Sequence, residues 1–293
     1  MRLTSPEGEA PRAPSRRQIV AGSMFTAGYA LAVGSGAQAQ AITTPTENIR
    51  TADVRLSGAG DYRLPAYLAR PRARGRHPCV IVVNEIFGVH AYIKDVCHRL
   101  ALEGYVALAP DYFDRAGDPS TLTDWEQIRT IVGAATHAQV MADTDGAVAW
   151  LRAQSFAAPR FAITGFCWGG AVTWMACAHN PAFHAGVAWY GRLTRPTSGF
   201  YAGQERPWPA DVAGQLHCPV LGLYAENDQG IPLDTVNEMR AALDAAGNPS
   251  HSQIIVYPGT EHGFHADYRP TYNEQAARDG WTRALRWFRQ HGV

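Results

Sequence analysis

Short apolar runs alternate with helix-period segments through most of the chain. The runs are continuous and rich in Val, Ile and Leu, which is typical of strands buried on both faces of a sheet. Amphipathic segments of helical length lie between them, and this alternation predicts a mostly parallel central sheet with helices on both faces. The predicted strands are HPCVIVVNE, VALAP, RFAITGF, AGVAWYG, HCPVLGLYAEND and SQIIVYPG, and the predicted helices are AYIKDVCHRLALEGY, MADTDGAVAWLRAQ, GGAVTWMACAHN, LDTVNEMRAALDAAG and NEQAARDGWTRALRWFRQH.

Two segments depart from this alternation. Residues 52–70, ADVRLSGAGDYRLPAYLAR, have the pattern of two strands joined by a short turn, which predicts an antiparallel hairpin at the edge of the sheet. Residues 192–214, RLTRPTSGFYAGQERPWPADVAG, are rich in Pro and Gly and have no clear period. This stretch is too long for a simple connection, so we expect a loop that covers a site.

The first 39 residues have the composition of an export signal. Arg16 and Arg17 precede a weakly apolar segment rich in small residues, and AQA at 37–39 allows cleavage after Ala39 or Ala41. Paired arginines before such a segment are typical of twin-arginine signals. An uncleaved membrane anchor is the alternative, although the segment is polar for a spanning helix. We predict a signal peptide over 1–39, recognised by the twin-arginine export machinery, a single domain over 40–293, and a bacterial periplasmic location.

The balanced charge and the spacing of the cysteines argue against several kinds of partner and site. Lys and Arg number 26, Asp and Glu also number 26, and no basic stripe is present. Nucleic acid and stable association with a membrane are therefore not expected. The five cysteines lie far apart without a CxxC pair, so neither a metal site nor a dense disulfide framework is predicted, and no cofactor is expected.

The stretch ITGFCWGGAV places a thiol where a predicted strand meets a predicted helix. Gly165, Cys167 and Gly169 have the spacing of a nucleophile elbow with Cys in place of Ser. The nucleophile's backbone is strained in such a turn, and glycines two residues away allow the strand and helix to approach. The helix N-terminus favours a thiolate, and the Trp168 amide points towards a developing oxyanion. A small buried cysteine is the alternative interpretation.

A base and an orienting acid are expected later in the chain, in the order acid and then histidine. Asp228 ends the strand in YAENDQGIP, and His262 follows the last predicted strand in YPGTEHGFH. Glu226 and Asp234 are alternatives to Asp228, and His265 is the alternative to His262. Asp228 and His262 are preferred because both stand at strand ends, where ligands of a parallel sheet bind.

These motifs together resemble the dienelactone hydrolase family of α/β-hydrolases. NEIFGVH, GYVALAPDYF, GFCWGG, ENDQGIP and GTEHGFHADYRP match the family in order, and the likeness covers about residues 50–290. The resemblance implies an α/β-hydrolase fold and a catalytic triad of Cys167, Asp228 and His262. It also implies an oxyanion hole formed by the amides of Ile86 and Trp168.

The resemblance gives Glu85 a special role, because the family's glutamate at this position pairs with the resting cysteine. A carboxylate beside a thiol disfavours its ionisation. We hypothesise that Glu85 keeps Cys167 protonated, and so protected from oxidation, between turnovers. A solvated loop carboxylate is the alternative.

The region expected to bind substrate departs from the family. Members that act on dienelactone carry an arginine shortly after the catalytic histidine, where this chain has Ala266. Arg269 and Arg129 are candidate replacements, although each is also consistent with an ordinary surface arginine, so the charge of the substrate stays open. The candidate apolar pocket residues are Tyr112, Phe113, Trp125, Trp168 and Trp189.

The sequence as a whole predicts a hydrolase that cleaves a lactone or carboxylic ester through a thioacyl-enzyme intermediate. A general carboxylesterase or thioesterase with the same triad is one alternative. A periplasmic binding or thiol-sensing protein on a hydrolase scaffold, without catalytic activity, is the other.

Overall fold

The computed structural model describes residues 41–198, 201–204 and 206–293, so the predicted signal segment over 1–39 lies outside the described residues. Strands and helices alternate along the described chain. The strands are β1 (Ile49–Ser57), β2 (Arg63–Pro71), β3 (His77–Val83), β4 (Val106–Pro110), β5 (Ala157–Phe166), β6 (Phe183–Trp189), β7 (Val220–Ala225) and β8 (Gln253–Tyr257). The α-helices are α1 (Ala91–Leu102), α2 (Trp125–Ala134), α3 (His137–Arg152), α4 (Trp168–His179), α5 (Leu233–Ala245) and α6 (Glu274–Gln290).

The eight strands form one sheet in the order β1-β2-β4-β3-β5-β6-β7-β8. β1 pairs antiparallel with β2, and β2 pairs antiparallel with β4, whereas every pair from β4 to β8 is parallel. The antiparallel edge hairpin predicted for residues 52–70 is therefore confirmed, with strands slightly longer than expected.

Burial along the strands follows from their position in the sheet. Every residue of β4 and of β7 is buried, so both faces of these strands are covered. The edge strand β1 is mostly exposed. Continuous apolar runs therefore form the central parallel strands, and the more polar segment forms the edge.

One helix was not predicted from the sequence. α2 begins after Asp124, whose side chain accepts a hydrogen bond from the backbone N–H of Glu126 and so caps the helix. Ile128 and Val132 are buried on one face of it. The signal was present as an Asp cap followed by apolar residues at helical spacing, and it was obscured by the many polar residues around it.

The topology brings five loop segments to one edge of the sheet. β3, β5, β6, β7 and β8 run parallel and are neighbours, so their carboxyl ends meet at the same edge. Glu85 follows β3, Cys167 follows β5, Tyr190 follows β6, Asp228 follows β7 and His262 follows β8. None of the helices in the described ranges is both long enough and apolar enough to cross a membrane.

Candidate active site

Cys167 occupies a sharp turn between β5 and α4. Its φ of 56° and ψ of −115° lie outside the regions that residues with a side chain favour, and such a conformation costs about 1–3 kcal/mol. The flanking glycines are required by close backbone contacts. A Cβ on Gly165 would lie 2.1 Å from the Gly169 carbonyl oxygen, and one on Gly169 would lie 2.5 Å from the Val83 carbonyl oxygen. The predicted elbow geometry is therefore present.

His262 and Asp228 form a short hydrogen bond beside this thiol. Nδ1 of His262 lies 2.6 Å from Oδ2 of Asp228. The other carboxylate oxygen accepts the backbone N–H groups of Gly230 at 2.8 Å and Ile231 at 3.0 Å. These bonds orient the buried carboxylate towards the imidazole. Cys167 is near enough for its sulfur to influence the pKa of His262, and the three residues line the same cavity.

The surroundings of His262 favour its protonated form. Burial opposes a charged imidazolium, but the Cys167 sulfur and the Asp228 carboxylate outweigh it and raise the pKa of His262 to about 10. At neutral pH this histidine therefore carries a proton beside the sulfur. An imidazolium in this position is able to protonate a leaving group.

The alternative acids and base have other partners. Glu226 accepts the backbone N–H of Gly259 at 2.8 Å, and Asp234 accepts the backbone N–H of Thr235 in the first turn of α5. Nδ1 of His265 lies 2.6 Å from the Tyr92 hydroxyl in the core, and burial lowers the pKa of His265 to about 3. The structure therefore pairs Asp228 with His262, as preferred from the sequence.

Glu85 is fully buried in a network that includes a cation. One carboxylate oxygen lies 3.1 Å from Arg269 Nη2, and the other accepts the Tyr268 hydroxyl at 2.6 Å and lies 3.3 Å from His90 Nε2. Burial alone would raise the pKa of Glu85, but Arg269, His90 and Tyr268 lower it to about 2. The alternative of a solvated loop carboxylate is wrong. Glu85 pairs with Arg269 rather than with Cys167 in this structure, so its protective role stays a prediction.

A cavity of about 410 Å³ opens beside the thiol. Ile86 and Trp168, the two predicted oxyanion-hole residues, both line it together with Cys167, Asp228 and His262. Asn227, Gln229, Glu261 and Thr271 add polar groups to the wall. The cavity is large enough for a small ring with one substituent.

The structure does not bring the other predicted substrate-binding residues to this cavity. Tyr112 is fully buried, with its hydroxyl 2.9 Å from Thr144 Oγ1, and Phe113 packs against Trp168 within the core. Trp125 and Arg129 lie on α2, where Trp125 is exposed and Arg129 pairs with Glu126. None of these four residues is among those that line this cavity, and their contact with a substrate stays a prediction. Arg269 pairs with Glu85, as described above, and Trp189 is buried beneath the sheet edge.

Sequence reasoning missed many of the residues that line this cavity. Four of them lie on the loop over 192–214, which was predicted to cover a site, although no individual side chain was chosen from it. An irregular loop has no period that shows which side chains face inwards. The lining residues of this loop, with Tyr190 just before it, are Tyr190, Arg192, Tyr201, Arg206 and Trp208.

Two of these residues make the wall positively charged. The Arg206 guanidinium stacks on Trp208 at 4.1 Å from the ring centroid, and its Nε has no hydrogen-bond partner among the described residues. Burial and the neighbouring Arg192 guanidinium lower the pKa of Arg206 from its ordinary value. Two like charges that repel each other at a cavity wall are a site where an anion is favoured.

No metal centre accompanies these groups in the part of the chain that the structure describes. There, no cluster of three or more His, Cys, Asp or Glu side chains is arranged to hold an ion. The expectation that the reaction needs no cofactor stays a prediction.

Comparison with known proteins gives a consistent result. The sequence model of the Dienelactone hydrolase family matches residues 64–292. A Methylorubrum extorquens protein named as a carboxymethylenebutenolidase is 48% identical over 281 residues, which covers 95% of this chain and 94% of that protein. A Bradyrhizobium protein named as a 2-oxo-3-(5-oxofuran-2-ylidene)propanoate lactonase is 33% identical over 247 residues, covering 84% of this chain and 96% of that protein.

A solved structure agrees with the fold. The crystal structure of a protein described as a dienelactone hydrolase from Klebsiella pneumoniae has a TM-score of 0.76 and 46% sequence identity to this chain. The match covers 83% of this chain and 99% of the other. The resemblance drawn from the motifs is therefore confirmed. The chain belongs to the dienelactone hydrolase family of α/β-hydrolases, and it is a hydrolase that acts on ester or lactone bonds.

Proposed function

We propose that this protein hydrolyses a lactone or ester through a Cys167-His262-Asp228 triad and a thioacyl-enzyme intermediate. The observation that carries the proposal is the short hydrogen bond between Asp228 and His262 beside Cys167, at a strained elbow that opens into a cavity. A buried structural cysteine has no need of a polarised histidine or a strained backbone.

The reaction begins with attack on the carbonyl carbon by the Cys167 thiolate, whose proton is held by His262. A C–S bond forms, and the carbonyl electron pair moves to the oxygen, which the amides of Ile86 and Trp168 stabilise by about 3 kcal/mol for each donor. The C–O bond then breaks, and its electron pair takes the proton carried by His262. His262, now neutral, takes a proton from water, whose oxygen attacks the thioacyl carbon. The C–S bond then breaks, its electron pair returns to the sulfur, and the carboxylic acid leaves with the thiolate and the protonated His262 restored.

We further propose that the substrate carries an anionic group, such as a carboxylate, beside the bond that is cleaved. The support is the pair of guanidiniums on the wall, Arg192 and Arg206, and the buried Nε of Arg206 has no hydrogen-bond partner in the part of the chain that the structure describes. The lactonase relative is named for a substrate that is itself a carboxylate. This site would replace the arginine that is absent at Ala266.

The nucleophile is tested with protein from Gln40 onwards, as wild type and as Cys167→Ala. Hydrolysis of a dienelactone and of p-nitrophenyl acetate is followed side by side. Dienelactone turnover that disappears in Cys167→Ala is the expected result. Turnover of the acetate alone would favour a general carboxylesterase or thioesterase. Alkylation of Cys167 with turnover of neither would favour the non-catalytic, thiol-sensing alternative.

The anion site is tested with the double variant Arg192→Met/Arg206→Met. A hydrogen bond to a charged group contributes about 1.5–3 kcal/mol, so kcat/KM for the dienelactone should fall by roughly 10- to 100-fold or more. The neutral acetate should lose less than about threefold. Arg160→Met, a change at an exposed arginine of β5, is the matched control. Equal losses on both substrates would contradict an anion site.

We also propose that residues 1–39 direct export of the folded protein to the periplasm. The support is the sequence alone, with Arg16 and Arg17 before a weakly apolar segment. A fusion of residues 1–45 to a reporter should reach the periplasm, and the Arg16→Lys/Arg17→Lys fusion should stay in the cytoplasm. Export of both fusions alike would contradict recognition by the twin-arginine machinery.

A further inference from the structure

Tyr190 is a buried hydrogen-bond donor at the same cavity as the proposed nucleophile. Its side chain has no exposed surface, yet its hydroxyl has no hydrogen-bond partner among the described residues. Other buried tyrosines of this protein are satisfied: the Tyr224 hydroxyl accepts Trp174 Nε1 at 3.0 Å, and the Tyr112 hydroxyl lies 2.9 Å from Thr144 Oγ1. An unsatisfied buried hydroxyl destabilises the fold, so its presence calls for an explanation.

The backbone that holds Tyr190 is also strained. Its φ is 37°, although it is not a glycine, and its N–H donates to the Leu223 carbonyl at 2.8 Å. Strained residues of this kind concentrate at functional sites because the surrounding structure must enforce them. The strained backbone and the unsatisfied hydroxyl of Tyr190 therefore each lower the stability of the folded protein.

The surroundings of the phenol belong to the reaction site. The Tyr190 ring meets the His262 ring edge-on, with 5.1 Å between centroids, and Tyr190 lines the cavity beside Cys167. Burial and the Glu85 carboxylate raise the pKa of Tyr190 well above its ordinary value. The phenol therefore stays protonated and is a donor at neutral pH.

We propose that the Tyr190 hydroxyl donates a hydrogen bond to an oxygen of the reacting ester group once the bond to Cys167 is forming. This inference rests on the proposed function. Solvent does not reach the hydroxyl in the resting cavity. A carbon bonded to the sulfur lies closer to the residues around Cys167 than a molecule that merely touches the sulfur, so we expect the acyl oxygens to reach the phenol as the C–S bond forms. Such a donor stabilises the transition state without tightening substrate binding.

Tyr190→Phe tests this inference because it removes the hydroxyl and keeps the ring. The burst of p-nitrophenolate from p-nitrophenyl acetate gives the acylation rate constant and the substrate dissociation constant in one experiment. The rate constant should fall by roughly 10- to 100-fold, while the dissociation constant stays within about twofold. Because an unsatisfied polar group is removed, the melting temperature should be unchanged or higher.

Tyr224→Phe is the matched control, because it removes a satisfied buried hydroxyl and leaves the Trp174 N–H without its partner. Its melting temperature should fall, and its acylation rate should not change. A wild-type burst that Cys167→Ala abolishes establishes the proposed function separately. With that burst present, an unchanged acylation rate in Tyr190→Phe, a loss confined to the dissociation constant, or a lowered melting temperature would each overturn the inference.

Discussion

Replacing Arg269 by Met should destabilise the protein in a way that depends on pH, because it leaves the Glu85 carboxylate buried without its cation. Arg269 Nη2 lies 3.1 Å from a carboxylate that has no exposed surface. Burial raises the pKa of Glu85, and Arg269 is the largest of the opposing influences that lower it from 4.5 to about 2. At 1.36 kcal/mol for each pH unit, that difference corresponds to about 3 kcal/mol of folding free energy.

The sign of the pH dependence follows from the direction of these changes. In the wild type the folded-state pKa of Glu85 lies below its unfolded value, so the stabilisation is present above about pH 4.5 and is lost as the pH falls towards 2. Without Arg269, burial dominates and the folded-state pKa rises above 4.5. The variant therefore loses stability as the pH rises from about 4.5 towards neutrality, where removing one partner of a buried pair typically costs about 3–5 kcal/mol.

Urea unfolding followed by circular dichroism at about pH 4.5, 6 and 7.5 measures this effect. The gap between wild type and Arg269→Met should widen as the pH rises, and Glu85→Gln/Arg269→Met should remove the pH dependence. Arg129→Met is the matched control, since its ion pair with Glu126 is exposed and should contribute less than about 1 kcal/mol. A gap that is equal at all three pH values would refute the argument from a buried charge.

Three further predictions concern the elbow, the thiols and the pocket. Gly169→Ala would place its Cβ 2.5 Å from the Val83 carbonyl oxygen, so it should lower the free energy of unfolding by about 1–3 kcal/mol and remove most of the activity. Gly203→Ala, with open space around it, is the control and should change neither the thermal unfolding nor the activity. Ellman's reagent should titrate a single thiol in the native protein, and none in Cys167→Ala, because the other four cysteines are buried; two fast thiols would contradict this burial. Tyr112→Phe should leave KM unchanged because Tyr112 is buried in the core, and an altered KM would indicate that Tyr112 contacts the substrate.

The sequence predicted the residues that stand directly at strand ends. Cys167, Asp228 and His262 each follow a continuous apolar run. A parallel sheet brings the carboxyl ends of such runs together, and this placement does not depend on the conformation of the loops. Local chemistry also identified the elbow, because Gly165 and Gly169 are needed wherever strand and helix approach so closely. These features depend on period, order and short-range geometry, which a single sequence contains.

The sequence did not predict the partners that depend on how a loop folds back. Arg269 was considered only as a surface residue or a substrate ligand, yet the segment after His262 returns it to Glu85. Gly263 permits this path: its φ is 80°, and a Cβ there would lie 2.8 Å from Arg269 Cδ. Neither the role of this glycine nor the ion pair has a periodic signal in the sequence.

The side chains of the loop over 192–214 that line the cavity were likewise not predictable from the sequence. This loop and Tyr190 just before it also hold buried polar atoms that lower the stability of the fold. Arg206 Nε and Trp208 Nε1 from this loop, and the Tyr190 hydroxyl just before it, are buried and have no partner within the described ranges. All three residues line one cavity, and all three atoms are hydrogen-bond donors. A fold selected for stability alone would satisfy them, and the substrate proposed above would offer acceptor oxygens to these donors. An anionic lactone or ester, and the oxyanion that forms from it, has that chemistry.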